Sequence, residues 1–99
     1  MIRGTTPTFT YELPFDCNNL KDIKVFFCQN DKLIFEKNIT DCSRDGTKLI
    51  IKLTQQETLK LTEKYKLKMQ LLAKTLLDEV IASNCIVVDV EELLKDEVI

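Results

Sequence analysis

The side chains of this chain that could do chemistry fall into four groups: four cysteines, one acidic loop, two pairs of adjacent acids and a run of lysines. Cys17, Cys28, Cys42 and Cys85 are spaced by 11, 14 and 43 residues, with no CxxC pair. A zinc knuckle or a thioredoxin-type dithiol needs that closer spacing, so free thiols packed as small apolar groups are expected. Cys28 and Cys85 lie 57 residues apart on expected strands, as an immunoglobulin inter-sheet pair would. Such domains pack a Trp against the bridge, and the chain has no Trp, so no disulfide is expected there. Asp41, Ser43, Asp45 and Gly46 fall at positions 1, 3, 5 and 6 of a calcium loop. Position 12, which needs a bidentate carboxylate, is Lys52, so the segment reads as a polar turn with Gly46 at positive φ. Asp78-Glu79 and Glu91-Glu92 read as solvated charge, because nothing nearby supplies an oxyanion hole or a metal partner. Lys64, Lys66 and Lys68 would project from one strand face, either as a solvated face that discourages edge pairing or as a contact for phosphate or an acidic partner.

Absences narrow the chemistry further. With no His there is no Ser-His-Asp triad, Cys-His pair or HExxH zinc site. With only Gly4 and Gly46 there is no glycine-rich phosphate cradle. No catalytic, cofactor-binding or metal-ligating residue, and no small-molecule substrate, is therefore assigned. Residues 48–74 carry seven lysines against Glu57 and Glu63, a local balance of +5, and contain no Arg. Residues 75–99 carry seven acids against Lys95, a balance of −6. Two such halves could attract one another within one fold or between neighbouring copies. Nucleic-acid binding usually shows a wider basic excess with interleaved Arg and aromatics. The first residues lack the apolar run of a secretory signal, and no stretch is long and apolar enough to span a bilayer. The expectation is a cytoplasmic product with no membrane partner.

The elements that would position these groups are mainly strands. Thr8 to Leu13 alternates with Phe9, Tyr11 and Leu13 on one face. Ile23–Gln29 and Lys32–Lys37 flank Asn30-Asp31 as a hairpin. Asp41–Gly46 reads as a turn before a strand over Lys48–Leu53. Thr54 and Glu57 form a capping box, predicting a helical turn near 55–59. Residues 60–82 divide almost evenly between two patterns. Tyr65, Leu67, Met69 and Leu71 alternate as a strand, while Leu61, Tyr65, Met69, Leu72, Leu76 and Val80 recur at helical steps. The neighbouring β elements need partners, which favours a strand over Lys64–Leu71, a turn over Leu76–Glu79 and a last long strand over Val80–Val88. Val90, Leu93, Leu94 and Val98 could line a short C-terminal helix.

From Leu53 to Leu59, the stretch Leu-Thr-Gln-Gln-Glu-Thr-Leu resembles small uncharacterised proteins of Firmicute phages and prophages. These share an opening like Arg3–Phe9, an alternating strand here at Tyr65–Leu71, and an ending like Leu94–Ile99. The resemblance spans nearly the whole chain and implies a small β-sandwich encoded among mobile-element genes, a virion or assembly component. It favours strands over 60–82. The family usually carries Asp-Gly in its last hairpin, where this chain has Leu77-Asp78-Glu79.

The expectation is one all-β domain over residues 1–99. It is an immunoglobulin-like antiparallel β-sandwich of about six or seven strands, with a helical turn at 55–59 and a short C-terminal helix. Its expected core is Phe9, Tyr11, Leu13, Val25, Phe27, Leu33, Phe35, Leu49, Ile51, Leu53, Tyr65, Leu67, Met69 and Leu71. Its expected role is non-enzymatic, a structural or interaction module with protein partners, self-assembling through sheet edges and incorporated into a phage-like particle. The alternative is an intracellular α+β binding or regulatory protein, with a long helix over 55–82 and the lysine-rich segment 60–74 engaging an acidic partner or nucleic acid.

Overall fold

The computed structural model describes all residues from Met1 to Ile99. Eight strands form two packed antiparallel sheets: β1 (Thr8–Glu12), β2 (Leu20–Gln29), β3 (Lys32–Asn38), β4 (Cys42–Asp45), β5 (Lys48–Lys52), β6 (Leu67–Thr75), β7 (Val80–Ala82) and β8 (Ile86–Val88). One sheet has the order β1-β5-β4, and the other runs β3-β2-β6 with β7 and β8 both on the far side of β6. Placing β1, β5 and β4 as B, E and D, and β3, β2, β6 and β7/β8 as C′, C, F and G, reproduces the immunoglobulin strand order. The β3 strand runs on in the same direction into β4 and changes sheet through a single 3-10 turn at Ile39–Asp41.

Alternation sets which residues face inward. Tyr11, Val25, Phe27, Leu49, Ile51, Leu53, Leu67, Met69 and Leu71 are buried as expected. Phe9, Leu13 and Phe35 are only partly buried against that core. Phe35 stacks on Phe27 with ring centroids 4.6 Å apart, a pairing worth about 0.5–1.5 kcal/mol beyond its area. Two expected core residues are exposed, Leu33 at 55% and Tyr65 at 44%. Leu33 pairs with Cys28 across a bulge next to Phe27, which turns it to the outer face. Cys17, Leu20, Ile23, Leu61, Ala73 and Val90 complete the core.

The helical turn forms as predicted. In α1 (Gln55–Leu59), Thr54 accepts from the Glu57 N–H and Glu57 accepts from the Thr54 N–H. The long helix over 55–82 does not exist, because β6 occupies Leu67–Thr75 and pairs with β2 along its length. The strand expected over Lys64–Leu71 begins only at Leu67. Gln29, 3% exposed, reaches into the preceding loop, donating to the Thr62 and Tyr65 carbonyls at 2.8 and 2.9 Å and accepting from Thr62 N at 2.9 Å. Those groups are thereby removed from ladder pairing. The Asp41–Gly46 turn is shorter than expected: Cys42–Asp45 is strand β4, and only the turn after it bends back, with Gly46 at φ +59°.

The last long strand is broken. Residues of β7 and β6 pair with positions summing to 154 and those of β8 with positions summing to 155, so Ser83–Cys85 carries one extra residue. The Ser83 hydroxyl accepts from Leu71 N at 2.9 Å across this bulge. No C-terminal helix forms. Ile2 bridges Glu91 in parallel, with Glu91 N donating to Met1 O and Arg3 N donating to Glu91 O, so the segment is held extended. Arg3 clasps the same region, donating to the Leu59 and Leu61 carbonyls and both Asp96 carboxylate oxygens.

Candidate functional site

Strand directions gather three connections at one end of the sandwich: residues 13–19, the turn at 46–47 and the turn at 76–79. Cys17 N donates to Gly46 O, and Leu76 N donates to Asn19 O, tying them together. Asp78 adopts φ +65° in the last turn, a left-handed conformation that favours Gly. From this end a cleft of about 480 Å³ runs past Phe15, Asn19, Leu76, Leu77, Glu79 and Ile81. Beside it lies one of about 360 Å³ lined by Tyr11, Leu13, Phe15, Leu71, Ile81 and Ser83. Phe15 and Ile81 line both, so the two clefts adjoin and form an apolar channel wall between the free edges of β1 and β7.

Both edges carry unpaired backbone groups. Thr75 N donates to Glu79 O and Ser83 N to Leu71 O, so alternation points the Val80 and Ala82 backbone groups away from β6. The bonds from Leu53 N to Pro7 O and from Leu13 N to Thr47 O likewise turn the Thr8, Thr10 and Glu12 backbone groups away from β5. None of these residues makes a backbone hydrogen bond outside its ladder. The other two edges carry charge, Lys32 and Glu36 beside the exposed Leu33 on β3, and Arg44 and Asp45 on β4. The β7–β8 edge instead exposes Val80 at 63%, Ile86 at 41% and Val87 at 52%, with the bulge as its one protective feature.

At the channel floor, Tyr11 is 6% exposed and its hydroxyl has no hydrogen-bond partner. The neighbouring Ser83 hydroxyl donates to Asn84 O at 3.0 Å. Burial pushes the Tyr11 phenol above its ordinary pKa, against a smaller lowering by the neighbouring Ser83 hydroxyl, so it stays protonated. Periodicity could place Tyr11 in the core; its orphan hydroxyl depends on which strand lies opposite.

The residues singled out from spacing do not converge. Asp41 accepts from Asn38 N at 2.9 Å in a capping box, while Ser43 and Asp45 lie exposed along β4. Asp78 pairs with Lys21, and the Glu91 backbone holds the bridge to Ile2. Lys64 and Lys66 precede β6, leaving Lys68 alone of the three on the strand. Lys66, at 3.7 Å from Asp89, makes the one ion pair between the +5 and −6 stretches. All four cysteines are free. Burial raises the Cys17 and Cys42 pKa values, which keeps both as thiols; Cys85 is exposed rather than packed. No three His, Cys, Asp or Glu side chains are grouped to hold a metal ion, and no helix is long and apolar enough to cross a membrane. No family model, curated protein or solved structure matches the chain.

Proposed function

We propose that this domain is a non-enzymatic interaction module that recruits a protein partner by strand addition at the β7–β8 edge. The single observation that carries this is an apolar edge whose Val80 and Ala82 backbone groups point outward. In strand addition, main-chain hydrogen bonds supply affinity and alternate side chains enter pockets beside the edge. The resemblance at Leu53–Leu59 supports the further proposal that the partner belongs to a phage- or prophage-type particle.

The test is co-expression with the products of adjacent genes, followed by purification of the complex. Ala82→Pro removes an outward N–H that makes no ladder bond, so the fold is retained while pairing is blocked. A complex formed by the wild type and lost in Ala82→Pro supports strand addition. A complex that survives both Ala82→Pro and Val80→Pro overturns it.

A second surface favours a different contact. Lys24, Lys68 and Lys74 share the outer face of the five-stranded sheet, since Lys24 pairs with Leu72 and Lys68 with Cys28. Acidic-partner or nucleic-acid binding there would weaken steeply with salt, which a binding titration at two salt concentrations reads directly.

A further inference from the structure

The five-stranded sheet has two free edges, β3 on one side and β7–β8 on the other. β7 runs antiparallel to β6, β6 to β2 and β2 to β3, so a second copy set beside the first presents its β3 antiparallel to β7–β8. The backbone groups are in phase as well. Leu71 and Thr75 bond toward β7, so alternation turns Leu72 and Lys68 toward β2, and Lys24 and Cys28, opposite them, toward β6. Asn38 and Leu33, which face Lys24 and Cys28, therefore point their backbone groups outward. So do Ala82 and Val87, which face Leu72 and Lys68.

Both edges carry one extra residue between these levels. β2 takes four steps from Lys24 to Cys28, and β6 four from Leu72 to Lys68. β3 takes five from Asn38 to Leu33, and the β7–β8 edge five from Ala82 to Val87. A straight strand falls out of phase at the Ser83–Cys85 bulge. The β3 strand, with Ile34 as its own extra residue, keeps one register from Ala82 opposite Asn38 to Val87 opposite Leu33. That register sets Val87, 52% exposed, against Leu33, 55% exposed. Glu36 falls opposite Asn84 and Lys32 opposite Val88, so like charges do not meet along the seam. At its end Asp89 and Asp31 stand among Lys66 and Lys32, two charges of each sign.

A two-fold pairing of β7–β8 with itself also opposes bulge to bulge. It brings Glu79 beside Glu91, neither of them ion-paired, and leaves Leu33 exposed. In the head-to-tail arrangement the three-stranded layer is one strand narrower than the row β3-β2-β6-β7. A gap of one strand width, about 4.8 Å, then separates β1 from the next copy's β4, which keeps Glu12 and Asp45 apart.

We infer that the β7–β8 edge takes the β3 edge of a second copy of this chain, so that copies join head to tail into one continuous sheet. This rests on the strand-addition proposal and names its partner. The contact joins two different surfaces, so it repeats until it closes into a ring or continues as a filament.

Light scattering over a range of concentrations is the test, with β-sheet circular dichroism confirming that each variant is folded. The wild type forms species larger than a dimer. Leu33→Glu/Val87→Glu, with like charges opposed across the seam, is monomeric, and Leu33→Lys/Val87→Glu assembles again. Glu36→Pro and Ala82→Pro each remove an outward N–H from one edge and are monomeric alone. Mixed in equal amounts, these two form a one-to-one dimer that grows no further. A dimer that survives Glu36→Pro and is lost in Ala82→Pro is the two-fold pairing and overturns the inferred partner. A wild type that stays monomeric at about 1 mM overturns it too. In either case a co-expressed complex lost in Ala82→Pro leaves strand addition standing. Assembly indifferent to both proline variants overturns both.

Discussion

Gln29 and Lys37 are the two long polar side chains turned inward, and each is held by what it bonds. Replacing Gln29 with Leu leaves the Thr62 N–H and the Thr62 and Tyr65 carbonyls without their present partner. The expected cost is about 2–3 kcal/mol, read as a lower urea midpoint with an unchanged slope. Lys37 Nζ lies 2.6 Å from Glu57 Oε1, with 9% and 19% of the side chains exposed. Burial pushes the Glu57 carboxyl up, but the Lys37 ammonium and the Thr54 N–H outweigh it and hold the pKa below 4.5. A folded-state pKa below the unfolded value stabilises at pH above the unfolded value and is lost as pH falls through the folded one. Denaturation at pH 7 and at progressively lower pH below 4.5 should therefore show a loss in the wild type that is smaller in Glu57→Gln. Lys37→Met leaves a partly buried carboxylate unpaired and should cost about 3 kcal/mol at pH 7. The capping box around Glu57 is legible from Thr54-Gln55-Gln56-Glu57 alone. That Lys37 also comes to Glu57 is not, because it requires β3 and α1 to be neighbours.

At the scale of elements, turns were more legible than strand ends. Asn30 and Asp31, both at positive φ (+51° and +59°), make the two-residue hairpin that their polarity predicts. Aspartate tolerates that conformation less well than glycine, so Asp31→Gly should stabilise the fold by about 0.5–1 kcal/mol, seen as a higher thermal midpoint. Strand ends depend on tertiary partners: Gln29 delays the start of β6, and the Ser83 hydroxyl splits the last strand. The C-terminal stripe of Val90, Leu93 and Leu94 has helical spacing, yet its backbone is drawn into a parallel bridge with Ile2. Gly4 makes that docking possible. It sits at φ +76°, and a Cβ there would stand 2.7 Å from Leu93 Cδ2. Gly4→Ala should cost about 1–2 kcal/mol and speed hydrogen exchange selectively over residues 89–99, with β2 and β6 still protected.

For the whole molecule, the sandwich was legible because hairpin neighbours and inward alternation leave few ways to cover two sheets. The site was not, because a channel between β1 and β7 joins residues about 70 apart in sequence, whose pairing no local pattern encodes. The same separation governs folding. Thr8 must find Lys52 and Leu20 must find Thr75 before either sheet closes, so refolding should take milliseconds to seconds. During that time the apolar β7–β8 edge is open to other unfolded chains. Val87, 52% exposed and opposite Lys68, is the position at which charge guards that edge at least structural cost. Val87→Glu gains a cross-strand pair with Lys68 worth about 0.2–1 kcal/mol. It should raise the refolded yield at high protein concentration while leaving the refolding rate at low concentration unchanged. An unchanged yield would mean that aggregation begins at another edge, which moves the unguarded surface away from β7–β8.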